Sequence, residues 1–111
     1  MQYILSVSIL TARMAELGLE VDQMLKAGVD QVHLDIMDNH FVPNLTFGPW
    51  ICHALRDYGI NAAFDVHLMT QPVDDLIFRF ADAGANIITI HQEAVVHLDR
   101  ALNRIRELGV K

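Results

Sequence analysis

The chain contains the stretch Val32-His33-Leu34-Asp35-Ile36-Met37, in which aliphatic residues alternate with His33, Asp35 and Met37. Successive side chains of a β-strand point to opposite faces, so His33, Asp35 and Met37 share one face and the three aliphatic residues share the other. A second stretch further along, Asp65-Val66-His67-Leu68-Met69, repeats the pattern. The two stretches predict two strands, each with an aliphatic face that packs on helices and a polar face directed elsewhere.

Strands and helices are predicted to alternate on both sides of these stretches. Runs rich in β-formers cover residues 3–8, 31–37, 62–69 and 86–91. Segments 11–27, 72–83 and 94–108 carry apolar residues at a helical period, and a shorter helix is expected over 48–58. Each helical segment ends at a glycine, where a left-handed residue is expected. Thr11 is the predicted N-cap of the first helix, and Pro72 suits the first position of the third.

Strand–helix alternation with short connections predicts a parallel sheet with right-handed crossovers. Both a (β/α) barrel and a flavodoxin-like sheet have this pattern. The first strand is followed by Ser8-Ile9-Leu10-Thr11, without the glycine-rich turn of a doubly wound nucleotide-binding fold, which favours the barrel. A whole barrel needs eight units and about 250 residues. We therefore expect residues 1–111 to form a single α/β domain of four parallel βα units, half of a (β/α)8 TIM barrel.

Composition excludes several classes of protein. The chain of 111 residues is 52% hydrophobic and 20% charged, so it is not a disordered chain. The net charge is −6, and no basic residues cluster, so nucleic acid and anionic membranes are poor partners. The single cysteine, Cys52, fits a reducing compartment. Because neither a membrane-spanning run nor a signal-like start is found, a cytoplasmic location is expected.

The polar residues inside the predicted strands are the candidate functional groups. Burying His33, Asp35 and His67 on one face is costly unless they bind something or are hydrogen-bonded to one another. Imidazole and carboxylate together suit a divalent first-row metal such as Zn, Fe or Mn. A hydrogen-bonded histidine–aspartate network inside a packed core is the alternative interpretation. Ser8 and His91 end the first and fourth strands, at the edge where the active sites of barrels collect.

Four motifs together resemble a known family. They are Ser8-Ile9-Leu10, then His33-Leu34-Asp35-Ile36-Met37-Asp38 running into Pro43-Asn44, then Asp65-Val66-His67-Leu68-Met69, and finally His91-Gln92-Glu93-Ala94. In this order they resemble the N-terminal half of ribulose-phosphate 3-epimerases, over essentially the whole chain. Epimerases of other ketose phosphates, such as allulose 6-phosphate, share these motifs.

The resemblance implies an isomerase that transfers a proton at C3 of a ketose phosphate, interconverting D-ribulose 5-phosphate and D-xylulose 5-phosphate. It implies one divalent metal ion with His33, Asp35 and His67 as ligands. It also implies that Asp35 acts as an acid/base aspartate. The residues implied to contact the substrate are Ser8, His67 and the methionines Met37 and Met69, which would wall the region where the enediolate forms.

The resemblance also implies groups that residues 1–111 lack. In the family, a fourth metal ligand that is also the second base lies in the second half of the barrel, as do the glycine-rich loops that bind phosphate. We therefore expect the isolated chain to be weakly active or inactive. Pairing into a homodimer or larger homo-oligomer would cover the open edges of a four-stranded sheet. Two alternatives are a catalytically inactive half-barrel that binds metal or protein, and a longer gene that has been truncated.

Overall fold

A computed structural model describes all residues, 1–111, as alternating parallel strands and α-helices. The strands are β1 (Ser6–Ser8), β2 (Gln31–Met37), β3 (Ala63–Met69) and β4 (Ile87–Ile90). The helices are α1 (Leu17–Lys26), α2 (Trp50–Tyr58), α3 (Asp74–Asp82) and α4 (Leu98–Glu107). Short 3-10 turns, Met14–Glu16 and Gln92–Ala94, precede α1 and α4. None of the helices has the length and apolar character that crossing a bilayer requires.

The strands follow one another across the sheet in chain order, β1-β2-β3-β4, and every neighbouring pair is parallel. In a flavodoxin-like sheet the first strand would lie between the second and the third, and a dinucleotide-binding sheet also reverses its order. Consecutive order in a parallel sheet is the arrangement of a barrel. The structure therefore confirms the prediction of four βα units, and the unit count is that of half a barrel.

The core lies on the aliphatic face of the sheet. Val32, Leu34 and Ile36 of β2 are at most 3% exposed. The corresponding residues of β3, Phe64, Val66 and Leu68, are fully buried. These side chains join apolar residues of the helices in one cluster of 23 buried residues. Packing the helices on this face leaves the opposite, polar face of β2 and β3 half-buried and accessible.

Arg56 of α2 ties together the segments that lead into β3 and β4. Its guanidinium donates hydrogen bonds at 2.7 to 3.2 Å to the carbonyl oxygens of Ile60, Ala62 and Gly84 and to the side-chain oxygen of Asn86. The guanidinium carbon also lies 3.6 Å from the centroid of the Phe64 ring. Asn86 in turn accepts the backbone N–H of Phe64 at 2.8 Å. One side chain therefore fixes the starts of two adjacent strands.

The first unit is shorter than predicted. β1 covers only Ser6–Ser8; the Leu5 carbonyl still accepts the N–H groups of Asp30 and Gln31, but the residues before it are exposed. The first helix begins at Leu17 and not near Thr11, so the prediction of Thr11 as its N-cap is wrong. The physical reason is a longer-range partner. Glu20 accepts the backbone N–H of Arg13 and also binds its guanidinium, which holds this segment outside the helix.

The third and fourth helices also begin later than predicted. Pro72 is not the first residue of α3, which starts at Asp74. The N–H of the preceding Gln71 is held at 2.8 Å by the Asp38 carboxylate from the loop after β2, so this segment belongs to a tertiary contact. Ala94 lies in the 3-10 turn, and Val95 is extended before α4 begins. The glycines that follow the four helices all have positive φ, between 77° and 111°, as predicted.

Candidate metal centre

The polar face of β2 and β3 carries four titratable side chains in two cross-strand pairs. The parallel register sets His33 opposite Asp65 and Asp35 opposite His67. All four side chains are between 15% and 25% exposed. Partial burial of this kind strengthens electrostatic interactions among them while leaving them open to a small ligand.

Asp35 is the centre of this group. Its Oδ1 atom lies 3.1 Å from His33 Nε2 and 3.2 Å from His67 Nδ1. One potential ligand atom from each of the three residues lies within 4.8 Å of the other two. Metal–ligand bonds of about 2.1 Å place neighbouring ligand atoms about 3.0 to 3.4 Å apart, so the two separations from Asp35 Oδ1 fit a first-row cation. The set of two imidazoles and one carboxylate is also chemically suited to such an ion.

Each imidazole uses its other ring nitrogen for a second partner. His33 Nδ1 lies 2.7 Å from Asp65 Oδ2. His67 Nε2 lies 2.6 Å from His91 Nε2, and the two rings stack with centroids 4.9 Å apart. Outer partners on the free ring nitrogen are the usual companions of metal-ligating histidines. The alternation of faces placed Asp65 on the polar side, but nothing in the sequence alone indicated which ring it would meet.

The surroundings favour the charged forms of Asp35 and His33. Burial by itself raises the pKa of Asp35, but the Ser8 hydroxyl, which donates at 2.6 Å, and the neighbouring imidazoles hold this pKa below its usual value. Burial lowers the pKa of His33, but the hydrogen bond to Asp65 and the charge of Asp35 outweigh it and raise this pKa. Asp35 is therefore ionised near neutral pH, which is the form of a carboxylate that a cation would bind.

The structure brings one of the predicted substrate-contacting residues directly to this group. Ser8, at the end of β1, is exposed and donates a hydrogen bond to Asp35 Oδ2. The imidazoles of His33 and His67 contact the other carboxylate oxygen, Oδ1. Met37 and Met69 are register partners at the ends of β2 and β3, and both are half-buried. Thr46 accepts the Met37 N–H at 3.0 Å and donates to the Asp35 carbonyl at 2.8 Å, which holds the following loop against the strand.

Cys52 lies apart from this face. It is fully buried in the core on α2, and burial raises the pKa of its thiol to about 12. A thiol with that pKa is protonated near neutral pH, when it is neither a nucleophile nor a metal ligand.

Comparisons with known proteins agree with the geometry. The model of the family described as "Ribulose-phosphate 3 epimerase family" matches residues 4–111. Ribulose-phosphate 3-epimerase of Escherichia coli strain K12 is 54% identical over 110 residues, which cover 99% of this chain and 49% of that protein. Ribulose-phosphate 3-epimerase of Buchnera aphidicola subsp. Acyrthosiphon pisum is 52% identical over 110 residues, which cover 99% of this chain and 48% of that protein. Ribulose-phosphate 3-epimerase 1 of Cupriavidus necator is 53% identical over 107 residues, 96% of this chain and 44% of that protein.

The chain spans about half the length of the curated relatives that it matches. The match nevertheless extends over nearly every residue described above, including both polar strand stretches. On this evidence the chain belongs to the ribulose-phosphate 3-epimerase family.

Proposed function

We propose that this chain supplies part of the site for metal-assisted epimerisation of a ketose phosphate at C3, the interconversion of D-ribulose 5-phosphate and D-xylulose 5-phosphate. The observation that carries the proposal is the meeting of Asp35 with His33, His67 and Ser8 on one accessible face. In this proposal His33, Asp35 and His67 hold one divalent cation. When bound, that cation supplies a positive charge that polarises the substrate carbonyl and stabilises the negative charge left by proton removal.

Asp35 is the proposed base. Its two carboxylate oxygens have different surroundings, since Oδ1 faces the imidazoles and Oδ2 faces the hydroxyl of exposed Ser8. A substrate hydroxyl or C–H group that replaces the Ser8 contact would meet Oδ2. The lowered pKa of Asp35 keeps its carboxylate ionised. Once the substrate has replaced the contact between Ser8 and Asp35, the Ser8 hydroxyl is free to hydrogen-bond the substrate. We assign Met37 and Met69 the role of an apolar wall that keeps water from the reacting carbon.

Inversion of a carbon centre requires proton removal on one face and delivery on the other. Two aspartates lie on the polar face of β2 and β3. The Oδ2 atom of Asp65 contacts the His33 ring, whereas the Oδ2 atom of Asp35 contacts only the Ser8 hydroxyl, so Asp35 is the one carboxylate here that offers an oxygen to a substrate. The proposal therefore expects proton exchange at C3 to be the activity that these residues support by themselves. Full epimerisation would need a second acid/base group on the opposite face.

Residues 1–111 also leave the sheet open. β1 and β4 each have a neighbour on one side only. Unpaired strand edges recruit further strands, and eight strands close a ring without edges. We propose that this polypeptide, on its own, pairs into a homodimer or larger homo-oligomer, which light scattering at micromolar concentration would reveal. A cytoplasmic location and the absence of a nucleic-acid partner stay predictions from composition.

The proposal is tested by following deuterium uptake at C3 of D-ribulose 5-phosphate in heavy water by NMR, with Zn²⁺ present. We expect exchange with the wild-type chain and a loss of about 100-fold or more for Asp35→Asn, since a positioned base contributes that much. The matched control is Asp82→Asn, which removes an exposed carboxylate from α3. Equal exchange in Asp35→Asn and wild type would refute the role of Asp35. A folded chain that binds Zn²⁺ without any exchange would instead support the metal-binding alternative.

A further inference from the structure

Asp65 touches the candidate metal centre without belonging to it. Its Oδ2 atom lies 2.7 Å from His33 Nδ1, the ring nitrogen that faces away from Asp35. This separation is typical of a charge-assisted hydrogen bond. We propose that Asp65 is a positioning residue that keeps the His33 proton on Nδ1, so that the Nε2 lone pair faces a metal ion. This inference rests on the metal site of the proposed function.

The tautomer matters because a neutral imidazole has one N–H group and one lone pair. An ionised carboxylate only accepts hydrogen bonds, so Asp65 pairs with the tautomer that is protonated at Nδ1. The alternative tautomer would place a proton on Nε2, where it would donate to Asp35 at 3.1 Å and block coordination. Asp65 and Asp35 therefore compete for the same proton of His33, and the shorter contact is the one to Asp65.

Asp65 is itself held from two other strands. Ser6 of β1 donates to the same Oδ2 atom at 3.3 Å, and the side-chain amide of Gln31 in β2 lies 3.5 Å from it. The Asp65 side chain is 16% exposed, and its register partner is His33. Because its donors lie on β1 and β2, the orientation of the carboxylate is set by the register of the sheet.

The outer ring nitrogen of His67, the one that faces away from Asp35, has no carboxylate partner. His67 Nε2 contacts His91 Nε2 at 2.6 Å, and a neutral imidazole partner can accept or donate. The contact with His91 therefore does not fix the tautomer of His67, whose one carboxylate contact is that of Nδ1 with Asp35. The proposal consequently predicts a specific asymmetry, in which removal of the Asp65 charge frees the tautomer of His33 and leaves that of His67 unchanged.

The experiment compares wild type with Asp65→Asn, which keeps the shape of the side chain but can either accept or donate. Nitrogen-15 NMR of the metal-free chain, above the His33 titration, reports which ring nitrogen carries the proton, and calorimetry with Zn²⁺ reports the dissociation constant. We expect a single Nδ1-protonated form of His33 in the wild type and a mixture in Asp65→Asn. Zn²⁺ affinity should fall about 10- to 100-fold, the usual cost of losing an outer partner. Asp82→Asn should change neither readout.

Several results would overturn the inference. They are a wild-type His33 protonated mainly at Nε2, or an Asp65→Asn chain with unchanged tautomer and Zn²⁺ affinity. The wild-type NMR measurement decides even if Asp65→Asn does not fold. A wild-type chain that does not bind Zn²⁺ would refute the metal site of the proposed function, while the ring nitrogen signals would still report on Asp65. Ser6→Ala, which keeps the charge on Asp65, should retain the Nδ1 tautomer, and its loss in that variant would contradict a role for the charge.

Discussion

Replacing Arg56 by methionine should lower the free energy of unfolding by about 2 to 4 kcal/mol. This is less than the sum of the free energies that its individual contacts would contribute. The guanidinium donates four hydrogen bonds to acceptors that precede β3 and β4. A hydrogen bond to a charged group is worth about 1.5 to 3 kcal/mol, and the cation–π contact with Phe64 about 0.5 to 1 kcal/mol more. Arg56 is partly exposed, so water replaces some of these contacts in the variant. Methionine also keeps the apolar stem, which removes the packing contribution from the comparison.

The assay is urea unfolding followed by circular dichroism, with the midpoint converted at a constant slope. The matched control is Arg100→Met. Arg100 pairs with Asp74 at 3.0 Å on the surface, where both side chains are more than 60% exposed, and such pairs contribute about 0 to 1 kcal/mol. If Arg56→Met loses less than about 0.5 kcal/mol, or no more than the control, the four hydrogen bonds do not stabilise the starts of β3 and β4 as argued.

Two further predictions concern single positions. The pKa of Asp38 is below its ordinary value because, although burial opposes this, backbone N–H groups of Gln71, His40 and Phe41 donate to the carboxylate. Its contribution to stability is therefore complete above the unfolded pKa near 3.8 and is lost as pH falls through the lower folded pKa. In Asp38→Asn the urea midpoint should therefore fall less steeply at acid pH than it does in wild type. Curves of midpoint against pH that run parallel for the two proteins would contradict this. Gly59 has φ +111° and open space around its Cβ position, so Gly59→Ala should lose about 1 to 2 kcal/mol through backbone strain alone in the same urea assay, and an equally stable variant would argue against it.

The faces of the two central strands could be predicted from the sequence because they follow from geometry. A strand has a side-chain period of two whatever surrounds it. The alternation between Val32 and Met37 therefore separated the core face from the polar face, and the burial of β2 and β3 follows that alternation residue by residue. The same argument placed Asp35 and His67 on one surface, and the structure brings them within 3.2 Å.

The starts of the helices could not be predicted in the same way, because distant partners determine them. Thr11 has the chemistry of an N-cap, but Glu20 binds Arg13 and keeps the segment out of the helix. Asp38 does the same before α3, where it holds the N–H of Gln71. Local helix propensity is a weak guide, and side-chain contacts to the backbone of a preceding segment override it.

The role of Asp65 depends on register, which the sequence encodes through the order of its residues. The first strand stretch reads His-x-Asp and the second reads Asp-x-His. In a parallel pair with this register, each carboxylate faces an imidazole, as His33 faces Asp65 and Asp35 faces His67. If both stretches had the same order, the two carboxylates would be neighbours and would repel each other. The reversed order gives His33 a carboxylate on each ring nitrogen, one from its own strand and one from the next. Asp35 and Asp65 therefore have different surroundings, since only Asp35 also contacts His67 and Ser8.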